Sequence, residues 1–150
     1  MLIDTVRFGV IEVDDDRLIT FPEGLLGFRE HKRFALIETA QDAVFFWLQS
    51  ADDPSLAFVV CDPAAFVPDY EVPVREDDLA ELKASDVADS QVLVIVNKVD
   101  GWLTANLLGP LVVSAGARLG KQFVLSDRRY GTRQRLREIA PPAAAVARTA

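Results

Sequence analysis

Short apolar runs broken by turn residues recur along almost the whole chain, and nothing else constrains the fold as much. Leu2 to Phe8 alternates, Gly9 interrupts it, and Val10 to Val13 resumes. Leu18 to Phe21, Phe34 to Glu38, Val44 to Ser50, Leu56 to Cys61, Gln91 to Val96, Leu111 to Ser114 and Gln122 to Leu125 follow. Runs this short, rich in Val, Ile, Leu and Phe, suit a pleated, half-buried surface. A glycine between two of them marks a bulge or tight turn. Many short strands with close turn signals predict a mainly β, small single-domain, β-barrel-like fold with one or two short helices. Glu76 to Ala84 is the better helix: Leu79 and Leu82 share a face, and Glu76, Asp77 and Asp78 sit where the dipole favours anions. Leu25 to Arg33 is expected to form a helical turn after Pro22-Glu23-Gly24.

The chain has 150 residues, half of them hydrophobic, which is enough for one core. Residues 1–139 are expected to form that single domain, and residues 140–150 a disordered Ala/Pro tail. One cysteine and one histidine exclude a disulfide framework and a Cys/His zinc site. The start lacks a secretory pattern, and the longest apolar runs are about half a membrane span. A cytoplasmic protein with no cofactor and no membrane partner is the expectation.

Charge is uneven. The formal net charge is −7. From Arg118 onward eight basic residues face two acidic ones, so that part carries +6 and the first 117 residues carry −13. Glu71 to Asp89 alone nets −5, with seven acids against Arg75 and Lys83. An acidic body disfavours direct nucleic-acid binding, which rests on phosphate contacts. The run Arg128-Arg129-Tyr130-Gly131-Thr132-Arg133 is read as folding back on the acidic body or staying solvated.

Several motifs resemble chemistry. Asn97-Lys98-Val99-Asp100 spells the N-K-x-D of guanine-specific GTPases. Its partner Gly116-Ala117-Arg118-Leu119-Gly120-Lys121 is one spacer short of a phosphate loop, and Gln122 stands where Ser or Thr belongs. Asp100-Gly101 therefore reads as a hairpin turn. His31, in a charged stretch, reads as a surface side chain, and Cys61, closing an apolar strand, as buried and inert. Paired carboxylates brought together by the fold are the alternative: a small β-barrel enzyme using acid–base chemistry.

Two segments carry more information. In Val44-Phe45-Phe46-Trp47-Leu48-Gln49-Ser50, Phe45, Trp47 and Gln49 share one face and Val44, Phe46 and Leu48 the other. Both faces are apolar, so the strand is either covered twice or leaves an aromatic face for a partner. Thr104 and Asn106, beside Gly109-Pro110, either satisfy loop backbone groups or present hydrogen bonds to a partner.

Together these residues resemble a known family. Phe21-Pro22-Glu23-Gly24-Leu25-Leu26-Gly27-Phe28, Phe45-Phe46-Trp47-Leu48-Gln49-Ser50, Asp52-Asp53-Pro54-Ser55-Leu56-Ala57-Phe58-Val59-Val60, Pro68-Asp69-Tyr70, Thr104-Ala105-Asn106-Leu107 and Gly120-Lys121-Gln122 stand in the order of the flagellar assembly factor FliW family. The resemblance spans about Leu2 to Arg133. It implies a barrel-like, non-catalytic cytoplasmic protein that binds flagellin and antagonises the RNA-binding translational regulator CsrA. Partner contacts are then expected at Phe45, Trp47, Gln49, Asp69, Tyr70, Asp77, Asp78, Thr104 and Asn106. Acidic charge attracts a basic regulator and repels incoming phosphates, and the aromatic face suits flagellin.

Overall fold

Alternation forms one long sheet, seen in a computed structural model that describes residues 1–38 and 44–139. Its strands are β3 (Ile19–Thr20), β4 (Arg33–Glu38), β5 (Phe45–Ser50), β6 (Ala57–Cys61), β7 (Ser90–Val99), β8 (Trp102–Ala105), β9 (Leu111–Ser114), β10 (Gly120–Gln122) and β11 (Gln134–Glu138). A separate antiparallel hairpin joins β1 (Leu2–Thr5) to β2 (Gly9–Glu12), and the one α-helix among the described residues, α1, spans Glu76–Glu81.

The sheet runs β10-β9-β7-β6-β5-β4-β3, with β8 on β7 and β11 on β8. Besides β6, the ten-residue β7 serves two further neighbours in turn: Ser90–Leu93 pair with β9 and Val96–Val99 with β8. The sheet curls until its ends meet. Thr20 bridges Leu119 in parallel, and its N–H donates to the Arg118 carbonyl at 2.9 Å. Gly120 is required at this seam, because a Cβ there would lie 2.4 Å from the Phe21 ring.

Both faces of the sheet are covered, as the doubly apolar β5 requires. The barrel interior holds Ile19, Phe21, Leu25, Phe34, Leu48, Val60, Leu93, Leu111 and Val113. The other face carries Cys61, Val94, Val96, Ala105 and Leu107, under Phe66, Val67, Tyr70, Tyr130 and Leu136. The hairpin adds a third cluster: Ile3 with Leu18 and Ala35.

Several boundaries differ from expectation. The first strand stops at Thr5, whose hydroxyl donates to the Gly9 carbonyl and accepts from the Phe8 N–H, both at 2.8 Å. Leu18 to Phe21 shortens to Ile19–Thr20, and the strand expected over Gln122–Leu125 lies at Gly120–Gln122. No helix forms at Leu25–Arg33, where Gly24 and Gly27 at φ +68° and +81° turn the chain tightly. The helix from Glu76 ends at Glu81 rather than Ala84, because Lys83 is left-handed at φ +52°. β8 and β11 were not foreseen. Asp100 (φ +50°) and Gly101 (φ +81°) form the expected tight turn between β7 and β8, with Asn97 and Lys98 spent on the ladder. The expected Ala/Pro tail lies outside the described residues.

Candidate functional site

Each expected contact residue can be followed to its surroundings. Phe45, Trp47 and Gln49 do share a face of β5, but their neighbours differ. Gln49 is fully buried. Its Nε2 lies within 3.3 Å of the carbonyl oxygens of Asp53, Pro54 and Leu56, so it pins the loop before β6. Its Oε1 has no partner among the described residues. Trp47 is half-buried beneath the β1–β2 turn: Phe8 meets it edge-on at 6.1 Å and the Arg7 guanidinium lies 4.4 Å from its ring centre. Phe45 stacks on Phe66 at 5.7 Å, with the Arg137 guanidinium 5.2 Å away. The aromatic face is thus covered by arginines and neighbouring rings, and its rims stay accessible.

Thr104 and Asn106 turn their polar atoms inward. Buried Thr104 donates to the Asn97 carbonyl at 3.4 Å. Asn106 Oδ1 accepts from the Leu108 and Gly109 N–H groups, both at 3.1 Å, and shapes the turn into Pro110. Tyr70 donates to the Leu107 carbonyl at 2.6 Å and meets Tyr130 edge-on at 4.8 Å. Burial, then the neighbouring Tyr130, pushes its hydroxyl well above the usual phenol range. Asp69 keeps its carboxylate exposed, while its backbone carbonyl accepts from the Tyr130 hydroxyl at 3.4 Å. Tyr130 therefore brings the basic run against the start of the acidic segment. Arg129 pairs locally with Asp127 at 2.7 Å.

The acidic segment separates by role. Glu71, Glu76, Asp77, Glu81, Asp86 and Asp89 are exposed. Asp78 is 2 % exposed. Its Oδ2 accepts from the Arg75 N–H at 2.9 Å, and its Oδ1 lies 3.5 Å from Lys121 Nζ. Lys121 also meets Glu81 at 2.7 Å. Burial works against the Asp78 charge. The Arg75 N–H and the charges of Lys121 and Arg75 more than offset it and hold the carboxyl below its usual range. Asp78 and Lys121 therefore latch α1 to β10, and the remaining acids of the segment are exposed, Glu81 of them paired with Lys121.

Acid–base chemistry finds no support in this arrangement. The described carboxyls with shifted pKa values, Asp53, Asp78 and Asp127, all move down, each with a named donor, so none is held protonated for general-acid work. No group of three or more His, Cys, Asp or Glu suited to a metal occurs among the described residues. Burial, with Asp62 nearby, pushes the Cys61 thiol up to about 12, so it stays protonated and inert. No described helix is long and apolar enough to cross a membrane. Sequence reasoning missed the Asp78–Lys121 latch and the covering of Trp47, because both partners come from distant segments. Arg7 and Phe8 read as the end of the first alternating run, not as the turn that covers Trp47.

Known proteins fit this fold closely. The profile described as "FliW protein" matches residues 2–136. A flagellar assembly factor FliW of Natranaerobius thermophilus is 42% identical over 139 residues, covering 91% of this chain and 92% of the relative. Its counterpart in Leptospira interrogans (serovar Lai) is 38% identical over 141 residues, covering 92% and 94%. A solved structure, "Crystal structure of the flagellar assembly factor FliW", superposes with a TM-score of 0.82 at 33% identity, covering 95% of this chain and 99% of that one. These relatives are named as assembly factors, not enzymes, and the chain belongs to the FliW family.

Proposed function

We propose that this chain acts in flagellar assembly as a cytoplasmic regulator that binds flagellin and, in its absence, binds and antagonises CsrA. Family membership supports the assembly role. The observation that carries the CsrA half is the acidic surface on and around α1, held in place by the Asp78–Lys121 latch. A protein that binds RNA exposes Lys and Arg. A surface bearing Glu76, Asp77 and Glu81 would speed encounter with it and repel approaching phosphates. Asp77, exposed on α1, is the expected contact that lies on this surface. Asp78 acts through it, by positioning the helix. Flagellin is assigned to the rims of Phe45 and Trp47, where ring edges and guanidiniums offer an apolar and cationic margin. Gln49 and Asn106 shape loops and Thr104 ties β8 to β7, so these three serve the fold rather than direct contact.

The test is an RNA gel shift with purified CsrA. Adding the chain should release the RNA, and adding monomeric flagellin should restore the CsrA–RNA complex. RNA retention at saturating chain, or release that flagellin does not reverse, overturns the proposal.

A further inference from the structure

We infer that the cleft between β2 and the outer half of β4 accepts an extended, lysine- or arginine-flanked apolar segment of a protein partner as an added strand. This goes beyond the function proposed above: the cleft adjoins the Trp47 margin, because its Ile37 pairs with Trp47, but neither Phe45 nor Trp47 lines it. β3 pairs only with Arg33 and Phe34 of β4, so Ala35 to Glu38 have no strand on that side among the described residues. The Ala51 N–H donates to the Arg33 carbonyl at 2.9 Å. Alternation from that bond turns the peptide groups of Ala35 and Ile37 toward β5, and those of Leu36 and Glu38 toward the open side. β2 pairs only with β1. Met1 and Val13 exchange hydrogen bonds at 3.0 and 2.9 Å, so the peptide groups of Val10 and Glu12 also point away from β1.

Two strand edges thus border one cleft of about 420 Å³, lined by Ile11, Glu12, Val13, Arg17, Leu36 and Ile37. Each edge offers four residues, which a partner strand of about 13 Å would cover. Four of the lining residues, Ile11, Val13, Leu36 and Ile37, are apolar and can receive apolar side chains of an added strand. The rim is acidic: Glu12 and Asp14 line the cleft and Asp15, Asp16 and Glu38 adjoin it in the chain, all exposed, against Arg17 and the N-terminal ammonium, which lies 3.6 Å from Asp15. This charge selects a basic-flanked segment. It also disfavours a second copy of this chain, whose matching edge would set like charges against each other.

The test titrates the whole protein with the peptide acetyl-Lys-Lys-Val-Thr-Val-Thr-Val-Lys-amide and follows amide hydrogen exchange by NMR. The expected result is protection of the Leu36 and Glu38 amides, weakening with salt. The same peptide with Glu in place of Lys, and the exposed double variant Glu12→Lys/Asp14→Lys with the Lys peptide, should each bind roughly tenfold more weakly. Equal binding of the Glu peptide overturns the inference, as does saturation without protection at Leu36 and Glu38. Protection of those amides that rises with protein concentration alone would instead identify a self-paired edge and also overturn it.

Discussion

Removing the charge from Asp78 should loosen α1 in a way that pH reveals. Asp78→Asn keeps the shape and an acceptor for the Arg75 N–H, 2.9 Å away, but ends the ion pairs with Lys121 and Arg75. A hydrogen bond to a charged group contributes about 1.5–3 kcal/mol. The neutral amide is easier to bury, and Lys121 is 26% exposed and therefore screened, so a loss of about 1–2 kcal/mol is expected. Lys121→Met should cost about 2–3 kcal/mol, because it leaves a buried carboxylate facing only Arg75. The double variant should recover about 1 kcal/mol of coupling relative to the sum. Urea unfolding followed by fluorescence of Trp47 and Trp102 reads all three. The folded pKa of Asp78 lies below its usual 3.8, so its contribution is present above that value and is lost as pH falls through the lower, folded value. The gap between the parent and Asp78→Asn should be full near neutrality and close in that acid window. A gap that persists under acid, or a double variant that is simply additive, would refute the latch.

Three further outcomes follow from the geometry. Gly120→Ala should destabilise by about 2–4 kcal/mol in thermal unfolding, because the new methyl meets the buried Phe21 ring at the seam. Cys61 should react with iodoacetamide at pH 8 about a hundredfold or more slowly in the folded protein than in urea, since its thiol is pushed up to about 12. Trp47→Ala should lower stability by about 2–3 kcal/mol, given its packing under Phe8 and Arg7, and should weaken flagellin binding in the fraction that remains folded.

Much of the barrel was legible because β4, β5, β6 and β9 must each bury apolar side chains, and alternation or continuous runs declare this locally. Asp100-Gly101 was legible for a different local reason: a tight hairpin with positive φ at both positions selects such a pair. β11 was hidden because Leu136 is its only apolar residue, and its arginines read as a charged run until Arg135 is seen over the Trp102 ring. Gln49 and Asp78 were misplaced at the surface, because polar side chains enter a core only when the fold turns polar partners onto them. Those partners are the 53–56 carbonyls and Lys121. The site was readable as composition, an acidic segment and an aromatic block. Which acids face solvent was decided by tertiary contacts.

The most direct test of the central claim is the affinity for purified CsrA at low and high salt, for the parent chain and for Glu76→Lys/Asp77→Lys. Both residues are exposed on α1, so the variant leaves the latch in place. The account predicts that the parent's affinity falls with salt, and that the variant binds about tenfold or more weakly with a flatter salt dependence and unchanged flagellin binding. Equal affinity of the two proteins, with no response to salt, would contradict it.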